Sequence, residues 1–385
     1  MEWEVKKLSE VCDSIFAGGD VPKDRLSKFK TNKFNIPIFA NGEKNKGLYG
    51  YTDKARVNTP SMTVSARGTI GYSEIRYEPF LPVVRLIVLT PNSDKVVLEF
   101  LKYVLRGMEF VNSGTSIPQL TVPMIKNYEC SLPPIPEQKR IVALLDTVFA
   151  DLEQARTKTE QNLKNARELF DSYLQQVFSQ KGEGWVESKL GSLLHISSSK
   201  RVYAKDWTDS GVPFFGGKEI VKLAKYGKAV SNAFISEEKY MEYASKYDMP
   251  QEGDILMTAR GTIGVGYIVK EGDKFYYKDG NIISLRQKSP TNPDFILYAF
   301  KSHKIIDQIK ELTGTTVSHL PLNKAKEIII NIPNYQVQNE LVLQIKKVEC
   351  NIQQVISIYE EKLTSIDELK KSILQKAFRG ELTHK

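Results

Sequence analysis

A stretch of about forty residues occurs twice in this chain, and it restricts the fold more than any other feature. The first copy, Gln138 to Gln180, reads QKRIVALLDTVFADLEQARTKTEQNLKNARELFDSYLQQVFSQ; the second, Gln338 to Gly380, reads QNELVLQIKKVECNIQQVISIYEEKLTSIDELKKSILQKAFRG. Neither contains Pro, and Gly occurs only as the last residue of the second. Apolar side chains recur at steps of three and four, the spacing of one helix face. In the second copy the stripe is Leu341, Ile345, Val348, Ile352, Ile356, Tyr359, Leu363, Ile366, Ile373 and Ala377. In the first it is Ile141, Leu145, Val148, Leu152, Thr159, Leu163, Ala166, Tyr173 and Val177, in the same register 200 positions earlier. Two long amphipathic helices in one chain most simply pair with each other.

The segments between them also repeat. Glu2-Trp3-Glu-Val-Lys-Lys-Leu8 is answered by Gly184-Trp185-Val-Glu-Ser-Lys-Leu190, and Ile36-Pro-Ile-Phe-Ala-Asn-Gly42 by Val212-Pro-Phe-Phe-Gly-Gly-Lys218. Ser65-Ala-Arg-Gly-Thr-Ile-Gly71 returns as Thr258-Ala-Arg-Gly-Thr-Ile-Gly264, and Ser113-Gly-Thr-Ser-Ile-Pro-Gln-Leu120 as Thr313-Gly-Thr-Thr-Val-Ser-His-Leu320. The offset is 182 at the Trp, 176 at the Pro, 193 at the Arg-Gly-Thr and 200 from Asp94/Asp294 onward. Each repeat is therefore variable in its first half and fixed in its second. Short alternating runs such as Ser61-Met-Thr-Val64 and Val83-Val-Arg-Leu-Ile-Val-Leu89 read as strands. One helix is expected from about Asp94 to Phe110, and an Asn41-Gly42 turn closes a strand beginning near Asn35. Pro133, Pro134 and Pro136 force extended backbone and start the first long helix. Asn334-Tyr-Gln-Val departs from that pattern in the second copy but keeps Gln338. The expected architecture is α+β: strand-rich domains over 1–137 and 182–336, with helical segments 138–181 and 337–385 pairing as an antiparallel coiled coil in an internal pseudo-twofold duplication.

At 385 residues, 41% apolar and 26% charged, the chain has the composition of a soluble protein with two cores. No apolar run approaches the roughly 20 residues that span a bilayer. The charged start MEWEVKKLSEV is not expected to be a signal peptide. Three well-separated cysteines (Cys12, Cys130, Cys350) argue against a disulfide framework or a zinc site. A cytoplasmic protein without a membrane partner is the expectation. The formal charge is +8, held mainly outside the long helices, a modest bias compatible with nucleic acid.

Catalytic signatures are missing. There is no phosphate loop, no G-x-G-x-x-G after a strand, no nucleophile elbow and no HExxH, so no catalytic residue, cofactor or metal is assigned. The duplicated Arg-Gly-Thr is the sharpest motif. Arg67 and Arg260 offer a guanidinium fork to phosphate, Gly68 and Gly261 a tight turn, and Thr69 and Thr262 a hydroxyl. The competing reading is a hairpin whose glycine serves backbone geometry and whose arginine pairs internally. Thr115, Ser116 and Gln119, with Thr315, Thr316 and His319, form a second pair of candidate contacts, set against a plain helix C-cap. Lys44 and Lys218 belong to interleaved aromatic and basic stretches (Tyr49, Tyr51 and Lys54; Tyr226, Tyr240, Tyr243 and Tyr247) that suit a groove-facing surface or a solvated sheet. Phe149, Phe170, Phe178, Ile358 and Phe378 lie beside the helix seams and are candidates for docking a partner.

The order and duplication of these motifs resemble the specificity subunit of Type I restriction-modification systems over the whole chain. The resemblance rests on Pro133-Pro-Ile-Pro-Glu-Gln138, the Gly-Thr turns before Leu120 and Leu320, the paired Arg-Gly-Thr-Ile-Gly and the closing Leu374-Gln-Lys-Ala-Phe-Arg-Gly-Glu-Leu382. It implies two target-recognition domains that read a bipartite site in double-stranded DNA, helices that set the spacer, and no chemistry in this chain. The implied partners are two methyltransferase subunits and, in the full complex, motor-nuclease subunits. A non-catalytic coiled-coil scaffold whose globules bind protein is the alternative.

Overall fold

The computed structural model describes residues 3–110, 118–180, 184–313 and 319–382. The periodic stretches form helices Ile135–Phe178 and Tyr335–Phe378, of 44 residues each. They begin by different chemistry at matching positions. In the first, the Pro134 carbonyl takes the amides of Glu137 and Gln138; in the second, Asn334 also caps with its side chain, Oδ1 accepting from Val337 N at 3.0 Å. The loss of Pro and Glu from the second copy thus leaves the helix start unchanged.

Two compact units arise. The first comprises Met1–Glu160 and Glu360–Lys385, the second Gln161–Tyr359, so each long helix is divided between them. Within the first unit the helical segments run antiparallel: Lys370 Nζ meets Glu153 Oε2 at 2.8 Å, and Arg156 pairs with Asp367 one turn on. Every stripe residue is buried or half-buried. In the first unit Thr159 satisfies its hydroxyl on Ala155 O at 2.7 Å, the way a polar residue survives inside such a seam.

The first unit has a four-stranded antiparallel sheet in the order Cys12–Ala17, Ile87–Pro91, Ser61–Val64, Ser73–Arg76. The second unit repeats that order with Leu194–Ser197, Ile282–Gln287, Ile255–Thr258, Gly266–Ile268. A two-stranded pair closes each: Glu4–Lys7 with Glu129–Leu132, and Val186–Lys189 with Ile329–Ile332. The Ile-Pro and Val-Pro segments answer each other as well, since Ile36–Phe39 and Val212–Phe215 each pair in parallel, with Leu81–Pro82 and Tyr276–Tyr277.

The copies differ where the sequence offsets shift. After Ile36–Phe39 the first unit makes a tight turn and a strand, Leu48–Thr52; after Val212–Phe215 the second unit forms helices Gly217–Tyr226 and Glu237–Lys246. The aromatic-basic stretch of the second copy is therefore largely helical rather than a sheet face, and Tyr243 is buried with its hydroxyl on Arg201 O at 3.2 Å. The helix expected over 94–110 is shorter, Leu98–Gly107, because Asn92 gathers the amides of Asp94, Lys95 and Val96 into a turn. Phe100, Leu101 and Leu105 of that helix are fully buried beside Ile141, Leu145 and Ala377, each side chain contributing roughly 1.5–3 kcal/mol of transfer free energy.

Candidate nucleic-acid interface

The Arg-Gly-Thr motifs occupy equivalent hairpins, between Ser61–Val64 and Ser73–Arg76 and between Ile255–Thr258 and Gly266–Ile268. The loops close alike: Ser65 N bonds Tyr72 O at 2.8 Å and Gly71 N bonds Ser65 O at 3.0 Å, while Thr258 N bonds Val265 O at 2.8 Å and Gly264 N bonds Thr258 O at 3.0 Å. Gly68 and Gly261 turn the chain with φ of 71° and 78°, and a Cβ on either would meet nothing within 4 Å. Glycine is required there for its backbone freedom, and the space beside it is open. Arg67, Gly68, Thr69, Arg260, Gly261 and Thr262 are all exposed.

The structure joins these loops to the second pair of motifs. Leu120 N donates to Ala66 O at 2.9 Å, and Leu320 N to Ala259 O at 2.7 Å, which lays Gln119 beside Arg67 and His319 beside Arg260. Arg67 donates from Nε (3.0 Å) and Nη2 (2.6 Å) to Gln119 Oε1. The internal pairing weighed from the sequence is thus real in the first unit, but the partner is a neutral amide, and among the described residues no carboxylate pairs with the Arg67 charge. In the second unit His319 Nδ1 lies 3.2 Å from Ala259 O, a contact only a protonated Nδ1 can make, and among the described residues Arg260 has no side-chain partner. Thr115, Ser116, Thr315 and Thr316 lie outside the described residues.

Lys44 is exposed on the turn Lys44–Gly47, where Asn45 and Lys46 have φ of 50° and 53°. Two residues that the sequence did not mark as functional hold this turn near the hairpin. Asn41 Oδ1 accepts from Ala66 N at 2.8 Å while its Nδ2 donates to Val84 O at 2.6 Å, and Gly42 N reaches Ser65 Oγ at 3.0 Å. Arg76 is buried, donates to Lys46 O at 2.6 Å and Thr63 Oγ1 at 3.1 Å, and stacks 3.6 Å from the Phe39 ring centroid. Burial lowers its pKa to about 10, with Glu74 opposing, so the guanidinium is charged at neutral pH beneath the turn. The Asn-Gly dipeptide announced a turn; nothing local announced that Asn41 would bridge to a loop 25 positions away. Lys218 takes another route to the equivalent edge of the second unit, exposed in the first turn of Gly217–Tyr226, where a Cβ on the adjacent Gly217 would lie 3.8 Å from Thr258.

Four of the five candidate docking side chains pack within their own units. Phe178 is buried against Phe295 (centroids 5.1 Å), Phe378 packs on Phe100 (5.7 Å) and Phe149 on Tyr103 (5.5 Å). Phe170 joins the second core with Lys301 over its ring at 5.9 Å. One step off a helix seam is the face a long helix turns toward its own globule. Ile358, 60% exposed, is the one left open.

Among the described residues no group of three His, Cys, Asp or Glu side chains is placed to hold a metal, and no helix is long and apolar enough to cross a membrane.

Comparison with known proteins agrees with the duplication. The chain is 32% identical over 189 residues to a putative type I specificity subunit of Mycoplasma pneumoniae, S.MpnORF89P, covering 49% of this chain and 54% of that protein. Against a second, S.MpnORF507P, it likewise spans about half of the relative's length, 50%. The EcoBI specificity subunit of Escherichia coli is 22% identical over 91% of this chain and 78% of its own. Among solved structures, a type I R-M system chain described for its complex assembly and conformational transition superposes with a TM-score of 0.75 over 98% of both chains at 18% identity. The HsdS subunit from Thermoanaerobacter tengcongensis gives 0.62 over 98% of this chain and 97% of that one, also at 18% identity. The Type I restriction modification DNA specificity domain matches twice, at residues 1–161 and 182–376, and the chain belongs to that family.

Proposed function

We propose that this chain is the non-catalytic, sequence-reading subunit of a Type I restriction-modification complex. Each strand-rich unit reads one half of a bipartite site in double-stranded DNA. What supports the reading is the repetition of one loop edge on one sheet order: an exposed arginine, without a carboxylate partner among the described residues, beside Gln119 in the first unit and beside His319 in the second. Arginine beside a polar amide or imidazole, on loops with open space, is the chemistry that meets phosphates and base edges. Lys44 and Lys218 add phosphate contacts.

The helices are the ruler in this reading. A helix of 44 residues extends ~66 Å at ~1.5 Å per residue, longer than the ~34–36 Å of one duplex turn, so the bases between half-sites act as spacer. Methyltransferase subunits, two in number, dock on the helical region around Ile358 and carry the methyl-donor site; motor-nuclease subunits join in the full complex. In this reading the chain works in the cytoplasm.

The test shortens both helices together by four residues, about one turn or ~6 Å. The methylome of cells carrying the shortened chain should show both half-sites unchanged and a shorter spacer. An unchanged spacer would overturn the ruler role, and a methylome indifferent to the chain would overturn the reading as a whole.

A further inference from the structure

We propose that Arg67 and Gln119 act as one recognition unit offering hydrogen-bond donors only, and that the first unit uses it to bind a pair of acceptors on DNA, either the O6/N7 edge of a guanine or two oxygens of a phosphate. The inference rests on the DNA-reading role proposed above and specifies its chemistry.

Valence limits what each side chain can offer. A guanidinium has donors and no acceptor, so the Gln119 atom facing it is oxygen by necessity. Arg67 reaches that single oxygen twice, at 3.0 and 2.6 Å, which occupies both lone pairs of Oε1. What Gln119 has left is the amino group on Nε2. What Arg67 has left is Nη1 and the second proton of Nη2. Among the described residues no acceptor takes Nε2 or Nη1. The composite is cationic, exposed at Arg67, and braced from behind where Asn41 takes the Ala66 amide and Gly42 donates to Ser65. A free glutamine recognises adenine by accepting from N6 and donating to N7. Gln119 cannot do so while Arg67 holds its oxygen. A surface of converging donors suits guanine's two acceptors or a phosphate instead.

The second unit is built otherwise. His319 spends Nδ1 on Ala259 O, and Arg260 is not tied to it by a side-chain bond. The donor-only pair belongs to one unit, so its consequences fall on one half-site.

The experiment uses the full chain and a duplex carrying the bipartite motif read from the methylome. Affinity is measured for wild type, Gln119→Glu and Gln119→Met, on duplexes with single 7-deazaguanine, purine-for-adenine or methylphosphonate replacements. Gln119→Glu keeps a partner for Arg67 but replaces donors by acceptors and cancels the charge; Gln119→Met removes the amide without adding charge. Both variants should bind the unmodified duplex about ten-fold more weakly or worse. Both should also lose the wild-type sensitivity to one 7-deazaguanine, which identifies a base contact, or to one or two methylphosphonates, which identifies a phosphate. Sensitivities in the other half-site should remain as in wild type, which also reports an intact fold. Wild-type affinity in both variants, or a loss coupled to removal of an adenine N6, would overturn the donor-only assignment while leaving DNA reading in place. A wild-type chain without bipartite preference would overturn both.

Discussion

Gln138 accepts the backbone N–H of Val97 on Oε1 at 2.8 Å, and Val97 is the N-cap residue of helix Leu98–Gly107. Its Nε2 donates to Lys95 O at 2.9 Å and Pro133 O at 2.8 Å. Gln338 does the same work in the second unit, taking the N–H of the N-cap residue Asn292 at 2.8 Å and donating to Pro333 O at 2.9 Å. Both amides are buried, so each ties the first turn of a long helix to its unit's own helix in a place water does not reach. Replacing either Gln by Ala leaves a buried N–H unpaired, at about 1–3 kcal/mol. Chemical denaturation should show losses of that size for Gln138→Ala and Gln338→Ala, against less than ~0.5 kcal/mol for an exposed control such as Gln176→Ala.

The hairpin glycines separate backbone need from spatial need. At Gly68 a Cβ has open space, so Gly68→Ala should cost only the left-handed penalty, about 1–2 kcal/mol, with the loop kept or slightly displaced. At Gly71, with φ of 87°, a Cβ would sit 2.6 Å from Phe110 Cδ2, so strain adds to conformation. Thermal unfolding should rank Gly71→Ala below Gly68→Ala. Equal melting temperatures would show that the Phe110 ring swings clear without cost.

Much of this fold is legible in the sequence because two signals are strong: the helical period of the long stretches, and the letter-by-letter duplication. Helix starts came within a few residues, since proline and Gln138 mark them. The sheet order was not legible. Its strands run from three to six residues, and the contacts that matter join Arg67 to Gln119 across 52 positions and Ala66 to Asn41 across 25. Each motif stood out separately, but no local pattern encodes that they meet. The intramolecular packing of Phe149, Phe170, Phe178 and Phe378 was not legible for a related reason: period identifies the seam between helices and is blind to the side on which a globule packs.

The seam itself has apolar and ionic parts whose contributions differ. Ile345 is fully buried in the second core, and Ile345→Ala should cost about 2–5 kcal/mol by lost transfer energy and the cavity left behind. The Glu153–Lys370 pair is largely solvated, with Glu153 61% exposed, and an exposed pair of this kind is worth about 0–1 kcal/mol. Glu153→Gln should therefore barely move the denaturation midpoint, and the small shift should shrink further in high salt. A larger loss for Glu153→Gln than for Ile345→Ala would place the helix pairing on charge instead of burial.

Cysteine chemistry gives a pH-dependent readout of the first unit. Burial pushes the Cys12 thiol from 9.0 up to about 12 and Cys130 to about 11, whereas Cys350 is exposed on the second long helix. Both buried thiols hold their protons more tightly folded than unfolded. Their contribution to stability is thus fully present below pH ~9 and is lost as pH rises through about 11–12, because the unfolded chain releases protons the folded chain retains. At pH 8 a thiol reagent should label Cys350 promptly and reach Cys12 and Cys130 only when the first unit opens. The stability of that unit against denaturation should fall from pH 9 to 11, and the loss should be smaller in a Cys12→Ala chain compared with itself at pH 8. Prompt labelling of Cys12 and Cys130 at pH 8, with the fold intact, would mean that the sheet edge around Cys12 is open to solvent.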